Sequence, residues 1–170
     1  LGIFSTSLIS EFLNLPDSLG QQFMELSNSV LGIVAIAIVG PVVEEIVFRE
    51  AVCGGLIRKG VDIKYVVIFS ALCFGIIHMN PAQIPFAFVV GLILAVIYVK
   101  TGNIVVTSII HIINNSIAVV QMSVLGENAS EYSLLDKLGY VSIPLIVALS
   151  VGCVYLLKEF WVRYQNKANV

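Results

Sequence analysis

Residues 40–50 read GPVVEEIVFRE, and two adjacent carboxylates, Glu44 and Glu45, interrupt a run that is otherwise as apolar as a lipid tail. Residues 30–43, just before them, carry no charge. A charge at bilayer depth costs about 2.5–3.5 kcal/mol on insertion scales. Two side by side are poorly explained as packing, and by default they mark a functional site.

The rest of the chain supports a membrane setting. Of its 170 residues 58% are hydrophobic and 12% are charged, with a mean hydropathy of +0.99; a soluble domain carries about 25% charged residues. The net charge of −2 leaves no electrostatic footprint for nucleic acid. Cys53, Cys73 and Cys153 lie in apolar surroundings without a C-x-x-C pair, which reads as buried thiols rather than metal or redox chemistry. The first residue is Leu1 rather than Met, so sequence upstream is expected.

Hydrophobic periodicity and breakers predict an all-α polytopic bundle with about five membrane helices in a single domain, residues 1–170. Residues 1–27 hold the end of an upstream segment and a turn at Pro16-Asp17-Ser18. Core helices follow over 28–161, with a tail at 162–170. The expected helices are 28–57 with a kink at Pro41, 64–79, 84–99, 104–125 and, beyond a polar stretch at 126–139, 140–161. In the third, Ala87, Gly91 and Ala95 make a small-residue stripe for close helix approach. Arg58, Lys59, Lys64, Lys100, Lys158, Arg163 and Lys167 fall on one side of five alternating crossings, whereas the other side receives only Lys137 and six carboxylates. That asymmetry puts the C-terminus in the cytoplasm.

Both histidines of the chain lie in these apolar helices. At 1.5 Å per residue, Glu44, His78 and Asn115 are each about 21–22 Å from their cytoplasmic helix ends, and His111 is about 16 Å from its own. Four polar groups on three helices share a level and can converge. Glu45 and Arg49, at i,i+4, are placed to form an ion pair, while Glu44 points about 100° away from Glu45. His111 and Asn115 share a face, and Asn114 can serve as well.

Peptide hydrolysis needs an activated water and donors for the oxyanion. A carboxylate out of water is a stronger base than one in it; a histidine beside it shares the proton transfer. A second histidine with an asparagine amide supplies oxyanion donors. Glu44, His78 and His111 also make a sound zinc ligand set with water in the fourth position, so zinc and metal-free mechanisms both stand. Taken singly, a buried histidine is ordinarily a hydrogen-bonded core residue, the Glu45–Arg49 pair is as structural as functional, and Phe74 packs one turn from His78.

Glu44-Glu45-x-x-x-Arg49, Phe74-x-x-x-His78 and His111-x-x-x-Asn115, in that order, resemble the three motifs of the CPBP (Abi) family of CAAX prenyl proteases and bacteriocin-processing enzymes, which includes the Ras-converting endopeptidase. The resemblance covers residues 40–116. It implies an intramembrane endopeptidase of the bacterial cell membrane. Glu44 would act as general base, His78 would assist, His111 and Asn115 would stabilise the oxyanion, and Glu45, Arg49 and Phe74 would support the site. It also implies a bundle of about eight spans, of which this chain is the C-terminal part. The expected partners are membrane lipids and a membrane-associated protein or peptide substrate. Two other readings compete: a non-proteolytic bacteriocin-immunity or scaffold protein, whose protection would survive Glu44→Gln, and a small transporter.

Overall fold

The structure, a computed structural model, describes residues 13–125, with side chains through residue 120. The helix expected at 140–161, the polar stretch at 126–139, the tail at 162–170 and the residues before 13 lie outside the described residues. Among the described residues there are five helices and no strand: α1 Gly20–Ser27, α2 Val30–Arg58, α3 Ile63–Ile77, α4 Ile84–Thr101 and α5 Ile104–Leu125.

Each boundary has a local cause. Asp17 Oδ1 accepts the Gly20 N–H at 2.8 Å, starting α1 from the expected turn. Ser29, in extended conformation, accepts the Gly32 N–H at 3.0 Å and caps α2. Asp62 accepts from the Lys64 N–H at the start of α3. At the end of α4 the chain turns through Gly102 at φ +62°, a left-handed conformation that favours glycine, and the Gly102 N–H donates to Tyr98 O at 2.7 Å. Asn103 Oδ1 then accepts the Val105 N–H at 2.9 Å and opens α5.

Two departures from expectation bear on the site. The helix expected over 64–79 ends at Ile77, so His78 is the residue that caps α3 rather than one in its interior. Met79 is left-handed at φ +51°, and Asn80 precedes Pro81, whose ring disfavours helical backbone at the residue before it. The second departure is in α2. Where a kink was expected at Pro41, a widened π turn at Ala35–Val39 leads into an α segment, Gly40–Glu45, followed by a second π stretch, Ile46–Gly54. Within the first, the Gly40 N–H donates five residues back to Ala35 O. The wider register accommodates a residue that has no N–H and whose ring crowds the carbonyl four residues earlier.

α2 is the hub, packing against α1, α3, α4 and α5, while the most extensive helix pair is α3 with α4. At 1.5 Å per residue α2 is about 43 Å long and α3 about 22 Å, so the C-terminus of α3 can meet the middle of α2. α3 and α4 approach closely at Gly91, where a Cβ would lie 3.1 Å from Ala71 Cα. Gly91→Val should therefore wedge backbone from backbone and destabilise the bundle by about 1–3 kcal/mol. The check is the thermal unfolding midpoint in detergent, against Gly55→Ala, whose Cβ meets nothing within 4 Å. Equal midpoints for the two variants would contradict this packing.

Around an apolar core the described residues bury several polar groups and expose long aliphatic stripes. Glu45, Arg49, Ser70, Asn80, Thr107 and His111 are buried, while Val105, Ile109, Ile113 and Ile117 of α5 and Ile68, Leu72 and Ile76 of α3 form exposed apolar stripes at i+4 spacing. Polar groups turned inward and aliphatic groups turned outward suit a hydrocarbon solvent. Val30–Arg58 and Ile84–Thr101 are long and apolar enough to cross a membrane; Ile63–Ile77 and Ile104–Val120 are shorter apolar helices.

Candidate active site

The adjacent glutamates have different surroundings, as their 100° separation anticipates. Glu45 is wholly buried, and its two oxygens are divided between partners. Oε1 lies 3.0 Å from His111 Nδ1 on α5, and Oε2 lies 3.1 Å from Arg49 Nε one turn along α2. The Arg49 contact is an ion pair without hydrogen-bond alignment, since neither Nε nor Oε2 has a hydrogen-bond partner. Arg49 Nη2 donates to Gly91 O of α4 at 3.4 Å, and its Cζ stands 4.7 Å from the centre of the Phe74 ring. The cation is therefore held by a carboxylate, a carbonyl and an aromatic face, with no contact to solvent.

Glu44 is the more open of the two, with its side chain 30% exposed. Its Oε2 stands 3.7 Å from His111 Nε2, beyond hydrogen-bond length, and has no hydrogen-bond partner. Oε2 is itself buried, but the partly exposed side chain gives water access to the carboxylate beside an imidazole, where it can accept a proton.

Phe74 does more than support the His78 rotamer. Its ring centre is 5.0 Å from that of His78, 5.5 Å from that of His111 and 5.2 Å from that of Phe48, all edge-to-face. One phenyl ring thus spaces two imidazoles carried by different helices. His78 Nδ1 lies 2.8 Å from its own helix's Phe74 O, which as an Nδ1–H donor leaves Nε2 with a lone pair. His111 faces the Glu44 carboxylate, and the His78 ring joins the same cluster through Phe74.

Two connections were not legible from the sequence. Asn80, two residues beyond His78, is fully buried; its Nδ2 donates to Asp17 Oδ1 at 2.7 Å and its Oδ1 accepts the Ser18 N–H at 3.1 Å. The turn before α1 is thereby tied to the loop that follows His78, across more than sixty residues of sequence. The carbonyl that receives Arg49 is the other, and only the glycine in the small-residue stripe hinted that backbone would come close there.

Of the two asparagines, Asn115 faces α2: its Nδ2 donates to Ile36 O at 3.0 Å, and its Oδ1 accepts from Asn114 Nδ2 at 3.2 Å. Of the residues singled out from sequence, Glu44, Glu45, Arg49, Phe74, His78 and His111 are brought into one cluster. Asn115 lies a turn further along α5. For the zinc alternative, no three His, Cys, Asp or Glu side chains among the described residues are grouped to hold a metal ion. The engagement of each imidazole through Nδ1, by a carbonyl or a carboxylate, leaves Nε2 as the ring atom that would face a ligand.

Comparison with known proteins adds a second line of observation. A family profile described as type II CAAX prenyl endopeptidase Rce1-like matches residues 26–117, more than half of the chain. The protein named "Putative membrane peptidase YdiL" from Bacillus subtilis (strain 168) is 31% identical over 101 residues, covering 59% of this chain and 41% of that one. The "Membrane-embedded CAAX protease MroQ" of Staphylococcus aureus (strain USA300) is 36% identical over 90 residues, covering 50% of this chain and 36% of that one. The aligned chain spans about two fifths of the length of these relatives. No solved structure matches.

Proposed function

This chain belongs to the family of type II CAAX prenyl endopeptidases of the Rce1-like kind, and on that premise we propose that it is a membrane-embedded endopeptidase in which Glu44 activates water for attack on a peptide bond. The observation that carries the proposal is the Glu44 carboxylate, whose Oε2 has no hydrogen-bond partner and lies 3.7 Å from His111 Nε2, in a cluster that Phe74 extends to His78.

In the proposed reaction, a water held at the Glu44 carboxylate gives it a proton as the water oxygen attacks the carbonyl carbon. The negative charge passes to the carbonyl oxygen, where His111, carrying a proton on each ring nitrogen, donates to it from Nε2. Glu45 accepts from His111 Nδ1 and so sets the direction of Nε2. His78 Nε2 relays the proton from Glu44 to the departing amine, which leaves as the carbon–nitrogen bond breaks. Arg49, 3.1 Å from Glu45, supplies the counter-charge to the buried carboxylate that holds the ring. Asn115 was expected to share the oxyanion with His111; one of its two amide N–H groups is taken by Ile36 O.

The proposed substrate is a membrane-associated protein or peptide that reaches the cleft from the bilayer, in a bacterial cell membrane. The test is mass spectrometry of new peptide ends in membranes of cells making the wild-type protein or its Glu44→Ala, His78→Ala or His111→Ala variant. Ends that appear with the wild type and vanish with each variant, at equal protein levels, are expected. An unchanged set of ends with Glu44→Ala would remove the mechanism.

A further inference from the structure

α2 has a donor missing from its middle, and the position of the gap can be worked out. Pro41 has no N–H, so one carbonyl earlier in the helix is left without its intrahelical partner. The π register identifies it. The Gly40 N–H is used by Ala35 O, five residues back; the next donor in that register would be residue 41 and the next acceptor Ile36 O. That carbonyl is the one that receives Asn115 Nδ2 from α5, at 3.0 Å. The side chain is itself held, because its Oδ1 accepts from Asn114 Nδ2.

An unmet carbonyl in an apolar medium is expensive, and the Asn115 amide is what meets it here. The same two helices are joined again by His111 Nδ1 and Glu45 Oε1. His111 lies four residues before Asn115 on α5, and Glu45 lies nine after Ile36 on α2. The two bonds act as a pair of rivets, one structural and one in the cluster, between the helix that carries the carboxylates and the helix that carries the imidazole.

We infer that Asn115 is a positioning residue: it replaces the backbone donor that Pro41 lacks, and by docking α5 on that point of α2 it holds His111 against Glu44 and Glu45. The inference rests on the proposed function for its kinetic consequence, but its structural content is independent of it.

The experiment is a rescue. Asn115→Ala strands Ile36 O, and should lower the thermal midpoint in detergent and slow appearance of the wild-type-dependent peptide ends about tenfold or more. Pro41→Ala restores an N–H at the position where the π register needs one. The Pro41→Ala/Asn115→Ala double variant should thus regain the midpoint and the rate of Pro41→Ala alone. A residue that donates to the reacting carbonyl would not be replaced by a backbone N–H inside α2, so a double variant as slow and as labile as Asn115→Ala overturns the inference. Glu44→Gln in the same assay separates the two readings. If it stays active, the catalytic reading fails, and the midpoints alone still decide whether the rivet exists.

Discussion

Glu44→Gln should leave the protein folded and reduce its cleavage rate by about a thousandfold, within the 10²–10⁴ that a positioned general base contributes. The amide has the shape of the carboxylate but cannot take a proton from water. The substitution is structurally mild because Glu44 Oε2 has no hydrogen-bond partner to lose, and His111 Nε2 at 3.7 Å is beyond bonding distance. The measurement is the initial rate of release of a wild-type-dependent peptide by purified protein in detergent, with the unfolding midpoint recorded alongside. A midpoint within a degree or two of wild type and a rate lost to background is the expected pair. A rate near wild type would mean that Glu44 is not the base.

Arg49→Met should do the opposite and damage the fold first. Arg49 and Glu45 are both wholly buried, and they neutralise one another at 3.1 Å. Removing the cation strands a carboxylate in an apolar interior, a loss of about 3–5 kcal/mol when one partner of a buried pair is deleted. It also removes the donor to Gly91 O and the charge over Phe74. Activity should fall with the amount of folded protein. The Glu45→Gln/Arg49→Met double variant should recover much of the stability, because a neutral amide needs no counter-charge and its oxygen can still accept from His111 Nδ1. It should not recover full activity, since the ring would then be held by a weaker acceptor. The unfolding midpoints of the three proteins check this, and a single variant as stable as wild type would refute the burial argument.

The contrast between these two expectations shows which parts of the site the sequence could disclose. Glu44, Glu45, Arg49, His78 and His111 stood out because polar groups are costly in lipid, and counting residues from helix ends put Glu44, His78, His111 and Asn115 near one level. Helical phase gave the Glu45–Arg49 pair correctly, because i,i+4 geometry is local. Phase could not say that Glu45, the more buried carboxylate, takes the Nδ1 of His111, since that depends on how α5 rolls against α2. The Phe74 ring was visible as a neighbour of His78 one turn away, but its contact with His111 belongs to another helix. Pro41 announced a disturbance in α2. Whether the helix answers with a kink or with a π turn depends on what can satisfy the stranded carbonyl, and the Asn115 amide comes from a residue 79 positions away. The end of α3 was placed late because an apolar run continues to Met79, while the left-handed Met79 and the buried Asn80 are fixed by a tie to Asp17. Local chemistry was legible; the ties between distant segments were not.

If Glu44 and His78 handle one proton between them, removing either should disable the same step. The direct measurement is single-turnover cleavage, with enzyme in excess, by Glu44→Gln, His78→Gln and the variant carrying both. A double variant no slower than the slower single one is the expected result, as for groups that act as a unit. Losses that multiply would mean that the carboxylate of α2 and the imidazole at the end of α3 act independently, and the shared-pocket mechanism would be wrong.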